Sequence, residues 1–133
     1  MSSTRQTVSA TSAPEAVGPY VHAVATSGPL LFCSGQIPLD PATGELVGTT
    51  PAEQAQQCLS NLAAVAEAGG ADLITDAVKL TVYMTDLSAF AEVNAVYGAF
   101  FEGVEPPARV AVGVVALPKG AQVEIDAIVA LAA

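Results

Sequence analysis

Arg109 is the residue whose type and setting most clearly predict chemistry. The chain carries only four lysine or arginine side chains in 133 residues. This one stands in "EPPARVAV", between a proline pair and an apolar run that predicts a β-strand. Strand alternation places Arg109 on one face with Ala111 and Gly113, whose small side chains leave room beside the guanidinium. A guanidinium binds a carboxylate through two parallel, charge-assisted hydrogen bonds, so we predict an anion pocket here. The opposite face is predicted to be core: Val110, Val112 and Val114.

Glu124 is the second candidate, on the last predicted strand. It shares a face with Gln122 and Asp126, and a solvated face with ion pairs worth under about 1 kcal/mol is one interpretation. The other is that its carboxylate acts together with Arg109. If the last two strands form a tight hairpin about "LPKG", Arg109 faces roughly Ile128, and Glu124 lies roughly 13 Å further along at strand rise. The two side chains then meet around one ligand only across a subunit boundary, or if the strands are not neighbours.

Asn94 interrupts the apolar stripe of a predicted helix, between Phe90 and Tyr97. A polar amide in that position must find a hydrogen-bond partner or face a cleft. Side-chain amides most often bond backbone, so tying down a loop is as good an interpretation as lining a site.

Composition excludes several classes of function. The net charge is −9, with 13 acidic against four basic residues. Such a charge disfavours binding to the phosphates of nucleic acids. Cys33 and Cys58 lack metal-ligand spacing and there is a single histidine, so we expect buried, reduced thiols and no metal site. The first twenty residues have no apolar core of a signal peptide, and no stretch is long and apolar enough to span a membrane. A cytoplasmic protein is expected.

The pattern of elements predicts one α+β domain over residues 1–133, in the order β-β-β-α-β-α-β-β. Thr50, Pro51 and Glu53 predict the start of the first helix, with a capping box, and Gly69-Gly70 predicts its end. Asp86 is predicted to cap the second helix. Alternation of strands with helices requires some parallel pairing. The predicted strands cover about 4–9, 21–26, 30–35, 78–84, 107–116 and 121–130.

Six segments in order resemble the Rid family, the reactive intermediate deaminases also described as YjgF-like or endoribonuclease L-PSP proteins. They are "APEAVGPYVHAV", "LFCSGQIPLDPATGELV", "NLAAVAEAGGADLITDAVKLTVYMTD", "FAEVNAVYGAFF", "PPARVAV" and "LPKGAQVEIDAI". The resemblance implies a chorismate-mutase-like α+β fold, with an about six-stranded mixed sheet and two helices on one face. It also implies a homotrimer with clefts between subunits. The implied activity is that of a 2-iminobutanoate/2-iminopropanoate deaminase, which hydrolyses 2-imino acids to 2-keto acids and ammonia without a cofactor or metal.

The resemblance also assigns roles to residues. Arg109 matches the arginine that binds the substrate carboxylate, and Glu124 matches the acid that positions water. Ala111 stands where many of these deaminases carry a cysteine, which puts the substrate range in question. The other matches would line the ligand cleft: Tyr20 of "GPY", Ser34 and Gly35 of "SGQ", and Asn94 of the second helix.

Two other classes of function compete with the deaminase. A non-catalytic protein of the same fold could bind small carboxylates or 2-keto acids in the same cleft, or act as a chaperone. RNA cleavage, which is attributed to relatives, is disfavoured by the negative charge and the lack of a basic stripe.

Overall fold

The computed structural model describes residues 5–132 and has the predicted mixed α+β character. The structure also contains a short helix, α2, which the sequence analysis did not predict, between the first long helix and the fourth strand. The Asp72 side chain caps this helix by accepting a hydrogen bond from the Ile74 N–H. Residue 4, predicted to begin the first strand, lies outside the described residues. The elements are β1 (Gln6–Val8), β2 (Ala23–Ala25), β3 (Leu30–Gln36), α1 (Pro51–Ala68), α2 (Leu73–Asp76), β4 (Ala77–Met84), α3 (Phe90–Phe100), β5 (Ala108–Gly113) and β6 (Val123–Ala130).

The six strands divide between two sheets. A four-stranded sheet has the order β3-β6-β4-β5, and β1 pairs with β2 in a separate two-stranded sheet. In the larger sheet β4 and β5 are parallel while the other pairs are antiparallel, so the prediction of parallel pairing is confirmed. The α3 crossover returns the chain to the outer edge of β4, because parallel neighbours need a long connection. The hairpin considered for the last two strands does not form, since β4 lies between β5 and β6.

Helix α1 begins and ends where the sequence predicts. The Thr50 hydroxyl accepts from the Glu53 N–H, and the Glu53 carboxylate accepts from the Thr50 N–H, which completes the capping box. Gly69 follows the last helical residue and donates its N–H to carbonyls of the final turn. One face of the helix packs on the sheet, and its buried residues are Gln54, Ala55, Cys58, Leu59, Leu62 and Ala66.

Helix α3 starts later than predicted. Asp86 caps a single 3-10 turn, Leu87–Ala89, and the α-helix begins at Phe90. Leu87 is half-exposed, whereas Val93, Tyr97 and Phe101 are almost fully buried. Helices α1 and α3 contact each other, and their buried residues form one core with the alternate buried residues of β4 and β6.

The valine face of β5 is not core in the single chain, contrary to the prediction. Val110 and Val112 are 40% and 36% exposed, while Ala111 on the other face packs against the core. The strand pattern identified the two faces correctly but could not say which one the helices cover. The uncovered face of the sheet, which we call the open face, also carries Phe32, 71% exposed. The helices therefore lie on the Arg109 side, and apolar side chains on the other side face solvent.

Candidate active site

Three aromatic rings surround the guanidinium of Arg109. Its central carbon lies 5.2 Å from the ring centroid of Tyr20, 5.4 Å from that of Phe90 and 5.0 Å from that of Tyr97. These are distances at which a cation is attracted by the ring quadrupole. Burial lowers the pKa of Arg109, but an arginine keeps its proton in proteins. No carboxylate of residues 5–132 forms an ion pair with it, so a partly buried cation stands without an anionic partner.

Asn94 holds the guanidinium by one of its edges. The Arg109 Nη1–H donates to the Asn94 Oδ1 at 2.6 Å. Because arginine only donates, the amide oxygen must face it, and this fixes Asn94 Nδ2 on the other side. Of the two interpretations of Asn94, the structure gives it a bond to Arg109 rather than to loop backbone. Nη2 of Arg109 and Nδ2 of Asn94 have no acceptor among the described residues.

Tyr20 reaches Arg109 from the loop before β2. Its hydroxyl accepts from the Val17 N–H at 3.3 Å, and the Val21 N–H donates to the Pro107 carbonyl, so the loop is tied to the start of β5. A cavity of 460 Å³ lies along this junction and is lined by Tyr20, Arg109 and Lys79 among mainly apolar residues. Lys79 projects from the opposite face of the sheet to Arg109, because it is level with Ala108. One cation and an apolar wall suit a small organic anion.

A larger cavity of 660 Å³ shares Tyr20, Val21 and His22 with the first and is otherwise lined mainly by the N-terminal loop. Its ionisable lining includes Glu15 and Glu105 and contains no lysine or arginine. His22 also lines it and accepts from the Ala10 N–H through Nδ1, with the Pro14 carbonyl 2.6 Å from Nε2. Because this lining repels a carboxylate, the smaller cavity beside Arg109 is the better anion site.

Glu124 lies in a second group, with Gly35. A Cβ built on Gly35 would overlap the Glu124 carboxylate, so the glycine is what allows this side chain to lie across β3. The side chain is half-buried on the open face, and Ser34 beside it is exposed. No described residue donates a hydrogen bond to the carboxylate, which leaves its oxygens free to bind water or a ligand.

The candidate residues form two groups that do not meet within one chain. We call them the Arg109 group, which contains Arg109, Asn94 and Tyr20, and the Glu124 group, which contains Glu124, Gly35 and Ser34. Arg109 is level with Leu80 of β4, whereas Glu124 is level with Tyr83, three residues further along. With β4 between the two strands, their Cα atoms are about 14 Å apart from standard strand spacing and rise. Successive side chains of a strand alternate between the two faces of the sheet, so an offset of three residues also places the side chains of Arg109 and Glu124 on opposite faces. Ala111 lies on the Arg109 side and is half-buried.

The sequence reasoning missed the side chains that enclose Arg109. It treated Phe90 and Tyr97 only as members of a core-facing stripe, and it gave Gly18 no role. The available signal was that Asn94 lies between the two aromatic positions, so whatever Asn94 bonds must lie near both rings. The hydroxyl of Tyr97 is buried without a hydrogen-bond partner among the described residues.

Neither cysteine is placed to react. Cys33 and Cys58 are both free and buried. Burial, reinforced by the charge of Glu124, raises the pKa of Cys58 to about 12, and burial also raises that of Cys33. Within residues 5–132 no group of three or more His, Cys, Asp or Glu side chains is arranged to hold a metal ion. No helix in the same range has the length and apolarity needed to cross a membrane.

The family model described as Endoribonuclease L-PSP matches residues 10–131. "RutC family protein y4sK" of Sinorhizobium fredii is 53% identical, over 93% of this chain and 96% of the relative. A mouse protein named "2-iminobutanoate/2-iminopropanoate deaminase" is 44% identical, over 93% of this chain and 90% of its own length. The crystal structure of the E. coli YjgF gene product superposes with a TM-score of 0.72 at 44% identity, covering 94% of this chain and 98% of the other.

The chain therefore has the chorismate-mutase-like α+β fold of those neighbours. It belongs to the endoribonuclease L-PSP family, also called the YjgF or Rid family, as its six sequence segments predicted.

Proposed function

We propose that this protein is an imine and enamine deaminase that hydrolyses 2-imino acids, such as 2-iminobutanoate and 2-iminopropanoate, to 2-keto acids and ammonia. The observation that carries the proposal is the unpaired guanidinium of Arg109, held among three rings and by Asn94. The rings lie 5.0–5.4 Å from its central carbon, and Nη2 has no acceptor among the described residues, so a carboxylate can dock there through charge-assisted bonds. The name of the mouse relative, at 44% identity, points to the same substrates.

The reaction needs few groups. Arg109 binds the substrate carboxylate and so fixes the position of the adjacent C=N carbon. The substrate reacts as its N-protonated iminium form: water attacks that carbon while Glu124 accepts one proton of the water, which gives a neutral tetrahedral amino alcohol. Glu124 then returns this proton to the nitrogen, the C–N bond breaks as the C=O bond forms, and ammonia and the hydroxyl proton leave to solvent. Orientation supplies much of the acceleration, and Tyr20, Ser34 and Gly35 shape the cleft around the substrate.

The proposed catalytic unit is a homotrimer in which each cleft combines the Arg109 group of one chain with the Glu124 group of the next. Support comes from the separation of the two groups within one chain and from the apolar open face. Phe32, Val110 and Val112 expose apolar surface there, as is usual for a face that packs against another subunit. A scattering measurement that finds an active, stable monomer would contradict this assembly.

A coupled assay tests the activity directly. An amino-acid oxidase generates several 2-imino acids, and the decay of each is followed with and without the protein. Arg109→Ala should remove the acceleration, because two charge-assisted bonds worth about 1.5–3 kcal/mol each are lost. Arg109→Lys should also be impaired, since an ammonium cannot reproduce the planar fork. The matched control is Lys119→Asn, which removes one positive charge at an exposed turn where the backbone φ is 59° and which should leave activity unchanged.

The same assay separates the deaminase from a protein that only binds. A 2-keto acid should bind in either case, so calorimetry with 2-oxobutanoate is run beside the kinetics. Binding without acceleration of any imino acid would favour the non-catalytic alternative. RNA is not the proposed substrate, because the net charge of −9 opposes contact with a phosphate backbone.

A further inference from the structure

Gly18 forms a backbone wall of the Arg109 site. A Cβ built on Gly18 would lie 3.3 Å from Nη2 of Arg109, 3.6 Å from Nδ2 of Asn94 and 3.6 Å from Cε1 of Tyr20. Three side chains of the candidate site therefore converge on the one position where this residue has no side chain.

The requirement for glycine at this position is spatial rather than conformational. Gly18 is not among the residues with positive φ, and the residue before a proline is normally extended, which alanine also tolerates. The loop cannot easily retreat to make room. The Tyr20 N–H donates to the Gly18 carbonyl at 2.8 Å, and the Pro19 ring lies against α3, 3.6 Å from where a Cβ on Gly98 would be.

The two nitrogen atoms nearest to Gly18 are both donors that lack an acceptor among the described residues. Nη1 of Arg109 is already bonded to Asn94, so Nη2 belongs to the free edge of the guanidinium. Nδ2 of Asn94, on the side of the amide away from its bonded oxygen, lies near the same point: it is 3.6 Å from a Cβ on Gly18, against 3.3 Å for Nη2. Two unsatisfied N–H groups on one side of a half-buried cation define a place for oxygen atoms of an anion.

We infer that Gly18 is a positioning residue for the substrate carboxylate, an inference that rests on the proposed function. Its missing side chain leaves the edge formed by Nη2 and Nδ2 open, so one carboxylate contacts both Arg109 and Asn94. A methyl group there would cover that edge. At 3.3 Å from Nη2 it would also push the guanidinium by a few tenths of an ångström, away from its position beside Tyr20.

The test is Gly18→Ala, with Gly98→Ala as the matched control. A Cβ on Gly98 makes only ordinary contacts, at 3.6 and 3.7 Å from the Pro19 ring, and alanine suits a helix. We measure kcat and KM on a 2-imino acid, the Kd of 2-oxobutanoate by calorimetry, and the thermal midpoint. For Gly18→Ala we expect KM and Kd to rise about ten- to a hundredfold, the effect of losing one charge-assisted bond. The kcat should stay within about twofold, because the bound substrate and the transition state lose the same contact and the barrier between them is unchanged.

A double variant distinguishes a local effect on the carboxylate contact from a general change in the loop conformation. In an Asn94→Ala background one of the two donors is already gone, so Gly18→Ala has less binding left to remove and should change Kd less than in the wild type. Additive effects would overturn the inference, as would an unchanged Kd in Gly18→Ala or a loss of kcat alone.

Failure of the inference and failure of the proposed function give different results. If the wild type hydrolyses imino acids and Gly18→Ala does so with the same KM, only the inference fails. If the wild type binds 2-oxobutanoate, hydrolyses nothing and loses binding on Gly18→Ala, the inference stands and the function fails. A wild type that binds no 2-keto acid overturns both.

Discussion

Two inactive variants of this protein should restore each other when they share an oligomer. One is Arg109→Ala, which keeps the Glu124 group, and the other is Glu124→Gln, which keeps the Arg109 group. Within one chain the two side chains lie about 14 Å apart at their Cα atoms, from strand spacing and rise, and point to opposite faces of the sheet. A cleft that needs both must therefore take one from each of two chains.

The expected size of the recovery follows from counting clefts. Arg109→Ala should lose about a hundredfold or more through its two charge-assisted bonds. Glu124→Gln should lose about 10²-fold, the usual contribution of a general base, with product affinity changed much less. In a trimer that contains both variants, one of the three clefts combines the arginine of one chain with the glutamate of the next, whichever variant is present twice. Oligomers purified through both tags should reach about a third of wild-type activity, against about 1% for either parent.

The assay needs oligomers that form from mixed chains. The two variants are co-expressed with different affinity tags, purified through both tags, and assayed on an oxidase-generated 2-imino acid. The matched control pairs Arg109→Ala with the double variant Arg109→Ala/Glu124→Gln, which has the same assembly surface but no complementary cleft. No recovery in the control and clear recovery in the test pair is the expected result.

Equal and negligible activity in both mixtures, with mixed oligomers verified by the two tags, would refute the reasoning. It would mean that Arg109 and Glu124 do not act on one substrate across a subunit boundary. If Glu124→Gln alone retains wild-type rate and product affinity, Glu124 is structural and another group activates the water.

Three further predictions concern stability and reactivity. Tyr97→Phe should leave the free energy of unfolding in urea unchanged or raise it by about 1 kcal/mol, because the buried hydroxyl has no described partner; a clear loss would reveal a hidden bond. The Cys58 thiol, with a pKa of about 12, should have about 10³-fold less thiolate than an ordinary cysteine and should react with iodoacetamide at pH 8 only as the protein unfolds; rapid labelling of the native protein would contradict this. Hydrogen bonds from the backbone N–H of Thr49 and then of Thr50 lower the pKa of Glu53. The Glu53 carboxylate therefore stabilises the fold fully above the pKa that Glu53 has in the unfolded chain. This stabilisation is lost as the pH falls through the lower pKa of the folded protein. Thermal midpoints of wild type and Glu53→Gln should differ at pH 7 and converge towards pH 3.

Local signals in the sequence were sufficient for α1 and for the positions of the six strands, but not for α2 or for the start of α3. The capping box at Thr50 and Glu53 and the glycines at 69 and 70 set the bounds of α1 because they act within one turn. Strand alternation likewise sorted Arg109 and Ala111 onto one face of β5. The family resemblance then supplied the fold and the candidate residues together, and the comparisons confirm the family and the fold.

What the sequence could not give depends on long-range packing. The α3 crossover decides which face of β5 the helices cover. The sequence pattern does not contain this information, so the assignment of Val110 and Val112 to the core was wrong. The rings around Arg109 come from the loop at Tyr20 and from α3 at Phe90, which are distant in sequence from β5. Alternation along one strand carries no information about such neighbours.

The parallel pairing of β4 with β5 has a consequence for the order of folding. Asn94 and Arg109 belong to one continuous strand-helix-strand segment, so their contact closes a short loop at small entropic cost. Gly35 and Glu124 come together only when β3 pairs with β6, two strands that are far apart in the sequence. Contacts of long sequence separation form slowly. The Asn94–Arg109 part of the proposed anion site should thus be native-like while Gly35 and Glu124 are still apart. The backbone amides of α3 and β5 should then gain hydrogen-exchange protection earlier in refolding than those of β3.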